Sequence, residues 1–155
     1  MDVHIASRAE YLKITVGTLK VLTERGPQFV DITDAVVRVV KESGVKNGLA
    51  VVFSKHTTAA IRINENEPGL IEDMERLLYQ LCPREATYQH NINEHSHYGE
   101  DFMNGHSHCQ HVLLSTSETI PILEGELQTG PYQCIFLVEL DRAREREVLV
   151  QVMGE

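Results

Sequence analysis

Leu12, Ile14 and Val16 alternate with Lys13 and Thr15, the period-two pattern of a strand with one buried face, and Leu19 and Val21 continue it beyond Gly17. This predicts an opening hairpin. Between 31 and 43 the period changes: Ile32, Val36, Val39 and Val40 recur at helical spacing, Asp31 or Thr33 can cap the start, and Ser43-Gly44 supplies a stop. The unbroken apolar run Leu49–Phe53 reads as a strand buried on both faces, ending at Ser54-Lys55-His56. Strand-like Ala60–Ile63 follows. Asn64-Glu65-Asn66-Glu67-Pro68 then breaks the pattern, and Leu70, Met74, Leu77, Leu78 and Leu81 mark one face of a second helix that Pro83 ends. Beyond a polar stretch from 83 to 108 come Val112–Leu114, Ile120–Ile122, Ile135–Glu139 and Val148–Val152, separated by turns and expected to be consecutive antiparallel strands. The elements do not alternate as βαβ. The expected class is therefore α+β, a β-sandwich-like, mostly antiparallel sheet core with two main helices.

Composition narrows the function classes. The chain has 155 residues, with 14 Lys and Arg against 23 Asp and Glu, so its formal net charge is 14 − 23 = −9. It reads as one domain, 1–155, large enough to fold without disulfides or a structural metal. The acidic balance opposes binding to nucleic acid or an anionic membrane, which needs clustered cations. Three cysteines without a Cys-x-x-Cys pair argue against a disulfide framework. With no leader-like start and no apolar run near the ~20 residues that span a bilayer, a soluble, cytoplasmic protein is expected.

Six of the eight histidines fall between His90 and His111, among Glu94, Glu100, Asp101 and Asn104. Imidazole and oxygen donors together suit a divalent metal ion. His-x-His occurs at 95/97 and at 106/108; in extended backbone both side chains of a pair share one face, and the second pair runs into the expected strand 112–114. The alternative is a solvated polar loop with an adventitious affinity for metal. Cys109, pointing away from His108 in such a strand, reads as a core or spectator thiol. The segment Lys55 to Asn66 is the other conspicuous one, with His56 at the end of a buried strand and Asn64-Glu65 after the next. Each has an ordinary reading as well, His56 as a hydrogen-bonded structural residue and Glu65-Asn66 as capping and turn residues.

These motifs together resemble the YjbQ-type family, also called the secondary thiamine-phosphate synthase family. The resemblance runs through Asp31-Ile32-Thr33, His56-Thr57-Thr58-Ala59, Ile63-Asn64-Glu65-Asn66, Glu100-Asp101, Asn104-Gly105-His106-Ser107-His108, Ile120-Pro121-Ile122, Gly125 to Gln133 and Glu139. Pro131-Tyr132-Gln133 and Ser115 depart from the commoner pattern. The resemblance implies a homotrimer, a pocket with metal-binding histidines near subunit boundaries, and a secondary activity that joins a hydroxymethylpyrimidine diphosphate to a thiazole phosphate with release of pyrophosphate. Carried over to this chain, the pocket comprises His56, Asn64, Glu65, Glu100, Asp101 and Asn104 as catalytic candidates. His106 and His108 are the expected ligands of a divalent ion, Zn or Mg, and Lys55 and Arg62 the expected phosphate contacts, with a solvent-facing Arg62 between Ile61 and Ile63 as its alternative. A metal-assisted hydrolase, and a non-catalytic trimer that binds metal or a small molecule, use the same residues.

Overall fold

A computed structural model describes residues 11–92 and 103–155. The described residues form eight strands in two antiparallel sheets. The larger has the order β1 (Lys13–Leu22), β8 (Glu145–Gly154), β3 (Gly48–Ser54), β5 (Ser117–Leu123), β6 (Glu126–Leu127); the smaller has the order β2 (Gln28–Asp31), β7 (Cys134–Glu139), β4 (Ala59–Asn64). Helix α1 (Thr33–Ser43) ends at Gly44, whose φ of +66° is the left-handed conformation glycine adopts most readily. With two sheets and few helices, the architecture is the α+β class expected.

The main core lies between the inner face of the large sheet and a layer made of α1 and the small sheet. Ala50, Val52, Ile120, Ile122, Val148, Val150 and Val152 meet Val36 and Val40 of α1 and Ile61, Ile135 and Leu137 of the small sheet. On the far side of β7, Phe136, Val138 and Leu140 pack against Leu78 of α2 (Pro68–Leu81) and Leu114. β7 is thus the strand buried on both faces. The expectation for 49–53 is corrected: Ala50 and Val52 point inward, while Leu49 and Val51 are half-buried and Phe53 is 38% exposed on the outer face.

The predicted hairpin is also replaced by one continuous strand. β1 pairs with β8 along its whole length from Lys13 to Leu22. Gly17 sits over α1, where a Cβ would lie 2.9 Å from both Val39 γ-methyls, so absence of a side chain lets the strand pass. The apolar pattern changes phase there. Leu19 and Val21 pack against the core, whereas Ile14 and Val16 are 61% and 58% exposed on the outer face. The late strands are not spatial neighbours either, because β5 pairs with β3, β7 with β2 and β4, and β8 with β1 and β3.

The run 112–114 is not a strand. Gly105–Leu113 forms helix α4, preceded by the short α3 (Gln89–Ile92). Histidine at alternate positions weakened the helical signal here, and the apolar residues Val112 and Leu113 are exposed at the helix end rather than buried in a sheet. Among the described residues no helix is long and apolar enough to cross a membrane.

Candidate functional site

The ends of β3, β7 and β8 and the start of α4 converge on a cleft of about 380 Å³, lined by Lys55, His56, Thr57, Thr58, His90, Asn104, His108, Arg142, Arg144 and Arg146. Its floor is a buried ion pair. Glu139, fully buried at the end of β7, receives Arg146 Nε at 2.6 Å and Nη2 at 2.5 Å, and Arg146 is only 2% exposed. The remaining acceptor capacity of Glu139 is filled by the Thr23 hydroxyl at 2.8 Å and by the Leu140 and Asp141 amides at 3.1 and 2.9 Å. Arg146 Nη2 also donates to Thr58 Oγ1 at 3.0 Å. Such full satisfaction is what makes a buried charge pair tolerable.

Asp141 organises the next tier. One of its carboxylate oxygens accepts from Arg144 Nη2 at 2.5 Å and Asn104 Nδ2 at 3.2 Å, which ties the residue before α4 to the arginine-rich segment after β7. At the rim Lys55 pairs with Glu147 at 2.7 Å.

The histidines have separate environments. His56 Nε2 accepts the Glu147 backbone N–H at 3.0 Å, and an amide can only donate, so the neutral ring carries its proton on Nδ1. Burial, and then the charge of Arg146, hold His56 below the usual histidine value. His56 can thus donate one hydrogen bond, but its basic nitrogen is committed. His108 packs edge-on against His90, ring centres 4.7 Å apart, and burial followed by the neighbouring His90 keeps it below the usual value. Unlike His56, it has no ring nitrogen committed to a backbone amide among the described residues, which leaves it the freer of the two to accept a proton.

His106 lies elsewhere. Alternate residues on a helix are about 200° apart around its axis, so His106 and His108 cannot share a face as they would in a strand. Ser107 donates its hydroxyl proton to the Leu140 carbonyl at 2.6 Å, which leaves its oxygen to accept from His106 Nε2 at 3.1 Å. His106 is therefore a buried anchor against Tyr88, not a metal ligand beside His108. The pair does not fit one divalent ion. Among the described residues no group of three or more His, Cys, Asp or Glu side chains is arranged to hold a metal.

The predicted site residues divide. Lys55, His56, Asn104 and His108 come together in the cleft. Asn64 and Glu65 lie at the opposite end of β4, where Asn64 Oδ1 accepts from the Glu65 amide at 2.9 Å and Nδ2 contacts Met74 Sδ at 3.2 Å. Arg62 pairs with Glu118 at 3.0 Å on the outward side of β4 and takes no part in the cleft, which corrects its reading as a phosphate contact there. Glu100 and Asp101, like His95 and His97, lie outside the described residues. Sequence reasoning met His90 only within the histidine cluster and Thr58 only within the resemblance motif, and it passed over Arg142, Arg144 and Arg146. The alternation Arg142-x-Arg144-x-Arg146, directly after a buried strand ending in glutamate, was the signal available.

A larger, more open groove of about 720 Å³ runs between β1, β2 and the start of α1. Its Asp31 is already engaged: the carboxylate accepts from the Thr33 amide and hydroxyl at 2.9 and 2.6 Å and from Asn66 Nδ2 at 2.9 Å. Volume alone does not make it the functional site; the cleft is where unlike chemistry converges.

A family model described as UPF0047 protein YjbQ-like matches residues 17–155. A UPF0047 protein of Methanothermobacter thermautotrophicus is 38% identical over 145 residues, 94% of this chain and 96% of that protein. The crystal structure of a YbjQ-like protein of unknown function from Sulfolobus solfataricus P2 is 37% identical, covers 94% of this chain and 100% of that one, and superposes with a TM-score of 0.86. A hypothetical protein from Aeropyrum pernix K1 gives 35% identity, 91% and 99% coverage and a TM-score of 0.83. The expected descriptions as a thiamine-phosphate synthase, a transferase and a metal-binding protein are corrected by these findings. The relatives carry only family names, the solved structure is of unknown function, and the described residues assemble no metal-holding group.

Proposed function

The chain belongs to the YjbQ-like UPF0047 family, and from that premise we propose that its cleft binds a small phosphorylated molecule and that His108 moves a proton on it. One observation carries this reading: a chain of net charge −9 gathers Lys55, Arg142, Arg144 and Arg146 around a single cleft with the imidazoles of His56, His90 and His108. Arg146 is neutralised by Glu139 and Arg144 is held by Asp141, so they present fixed N–H donors and hydrogen-bonded neighbours rather than loose charge. Fixed donors around a recess favour an oxyanion, because their orientation is set before the ligand arrives. His56, with its Nδ1–H, orients the ligand; His108 accepts the proton.

Titration with inorganic phosphate and pyrophosphate tests the reading. Both should bind and shift the imidazole signals of His56 and His108, and Arg142→Ala or Lys55→Ala should weaken binding by about tenfold, near the ~1.5 kcal/mol of a charge-assisted bond. No heat and no shift with either anion would overturn it. For any phosphorylated substrate turned over, His108→Gln should lower kcat by roughly 10²–10⁴.

The same reading includes a homotrimer. Ile14, Val16, Leu49, Val51, Phe53, Leu149 and Met153 lie on the outer face of the large sheet around Gln151, and that mainly apolar face runs up to Lys55 and Glu147 at the cleft rim. Further copies of the chain are the proposed cover. Val16→Asp with Leu149→Asp should reduce the mass measured by light scattering to the 17.5 kDa of one chain. A wild-type protein already of that mass would remove the trimer. A cytoplasmic setting, where thiols are reduced at rest, accompanies the proposal and suits three free cysteines.

A further inference from the structure

Cys82 and Cys109 lie outside the cleft and play no part in the ligand reading. Cys82 is half-buried and closes the C-terminus of α2, while Cys109 is exposed on α4. Two independent contacts bring their surroundings together. The Gln110 amide donates to the Leu78 and Cys82 carbonyl oxygens at 3.1 and 3.3 Å, so α4, at the residue next to Cys109, stands one glutamine side chain from the last turn of α2. Tyr88 forms the second bridge. Its side chain lies against Gly105, where an added Cβ would sit 2.5 Å from the tyrosine Cβ, and its hydroxyl donates to the Pro83 carbonyl at 2.8 Å. Gly105 and Cys109 are four residues apart and share a face of α4, and Pro83 directly follows Cys82. One tyrosine therefore spans from the helix face that carries Cys109 to the residue beside Cys82. Electrostatics agree with that placement: burial first, and the neighbouring Cys109 thiol second, push the Cys82 thiol above its ordinary value.

We propose that Cys82 and Cys109 form an oxidisable dithiol that closes to an intramolecular disulfide between α2 and α4, with hydrogen peroxide as the oxidant. The exposed Cys109, as thiolate, attacks peroxide: an S–O bond forms, the O–O bond breaks, and the departing hydroxide takes up the thiol's proton as water. Cys82 then attacks the sulfenic sulfur; the S–S bond forms, the S–O bond breaks, and a second water leaves with the Cys82 proton. Two thiols give up two electrons and two protons, and peroxide becomes two waters. Cys134 stands apart at the start of β7, hydrogen-bonded to Asp31. The link would fasten α4, which carries His108, covalently to α2.

Reduced full-length protein treated with one equivalent of peroxide, then denatured, should fall from three titratable thiols to one. Its intact mass should drop by two hydrogens, with the linked peptides containing Cys82 and Cys109. Cys109→Ser should abolish the loss, Cys82→Ser should leave a sulfenic acid at Cys109 that dimedone traps, and Cys134→Ser should keep the two-hydrogen mass loss while the thiol count falls from two to none. A link to Cys134, covalent dimers in place of the internal bridge, or oxygen adducts without the mass loss would each overturn the proposal. Since the readout is covalent and needs no ligand, its failure leaves the anion cleft standing, and the cleft's failure leaves the dithiol standing.

Discussion

The short run from Lys55 to Asn66 serves two ends of the molecule, and the ends differ in what their polar groups are doing. At the His56 end, side chains that follow β3 and β7, together with those of β8 and α4, face a shared recess above a filled layer of hydrogen bonds. At the Asn64 end the polar groups bond to each other: Asn64 to the Glu65 amide, Asn66 to Asp31, and Glu67 to the Gly69 and Leu70 amides at the start of α2. β4 is six residues long, so its pleated backbone holds the two ends about 20 Å apart. A polar residue consumed by its own turn is structural; one held from behind and facing a recess is available for chemistry.

The contrast can be broken most severely at the floor. Glu139→Ala strands the Arg146 guanidinium in a fully buried position and should cost about 3–5 kcal/mol in denaturant unfolding, whereas Glu139→Leu combined with Arg146→Met should recover most of it. A loss below ~1 kcal/mol would mean the floor is wet and not a rigid support. At the other end, Asp31→Ala removes the acceptor for Thr33 and Asn66 and should cost about 1–2 kcal/mol while leaving pyrophosphate affinity unchanged. Equal weakening of binding by Asp31→Ala and Arg142→Ala would collapse the distinction between the ends.

Titration sharpens the comparison. His56, His106, His108 and His111 are all held below the usual value of 6.5, burial being the first cause in each. The unfolded chain therefore binds more protons than the folded one just below that pH, so stability is complete above 6.5 and declines as the pH falls toward the folded values. Denaturation midpoints should drop between about pH 7.5 and 5.5, and less steeply in His106→Asn; a flat profile would refute the burial of these rings. Asp31 behaves in the acid range. Burial opposes its ionisation, but the bonds from Thr33 and Asn66 prevail and lower it below 3.8, so its contribution persists above that value and is lost as the pH falls further. The smallest effect belongs to Arg62→Ala. Its exposed pair with Glu118 should contribute at most about 1 kcal/mol, less at high salt, with no change in anion binding.

Pattern alone located α1, α2 and most strands, because an amphipathic helix and an alternating strand carry their burial in their periodicity. It failed where two periods compete. In 105–114 the histidines at 106 and 108 fit an extended run followed by apolar residues, and only the packing of Gly105 against Tyr88, with Gln110 held at the end of α2, decides for a helix. That decision removed His106 from the cleft. The outer apolar face of β1 and β3 was misread for a related reason: hydrophobic residues on an uncovered face look the same in sequence as buried ones.

By itself the sequence determined the α+β class and the extents of the two main helices, which depend on local pattern, and its resemblance to the family singled out His56, Asn104 and His108 as candidates. Tertiary structure alone decided that Arg142, Arg144 and Arg146 meet those residues, that Asn64 and Glu65 do not within one chain, and that Glu139 neutralises the floor. The fold brings residues as far apart as Thr58 and Arg146 into hydrogen-bond contact, and no local periodicity encodes which distant groups meet in this way.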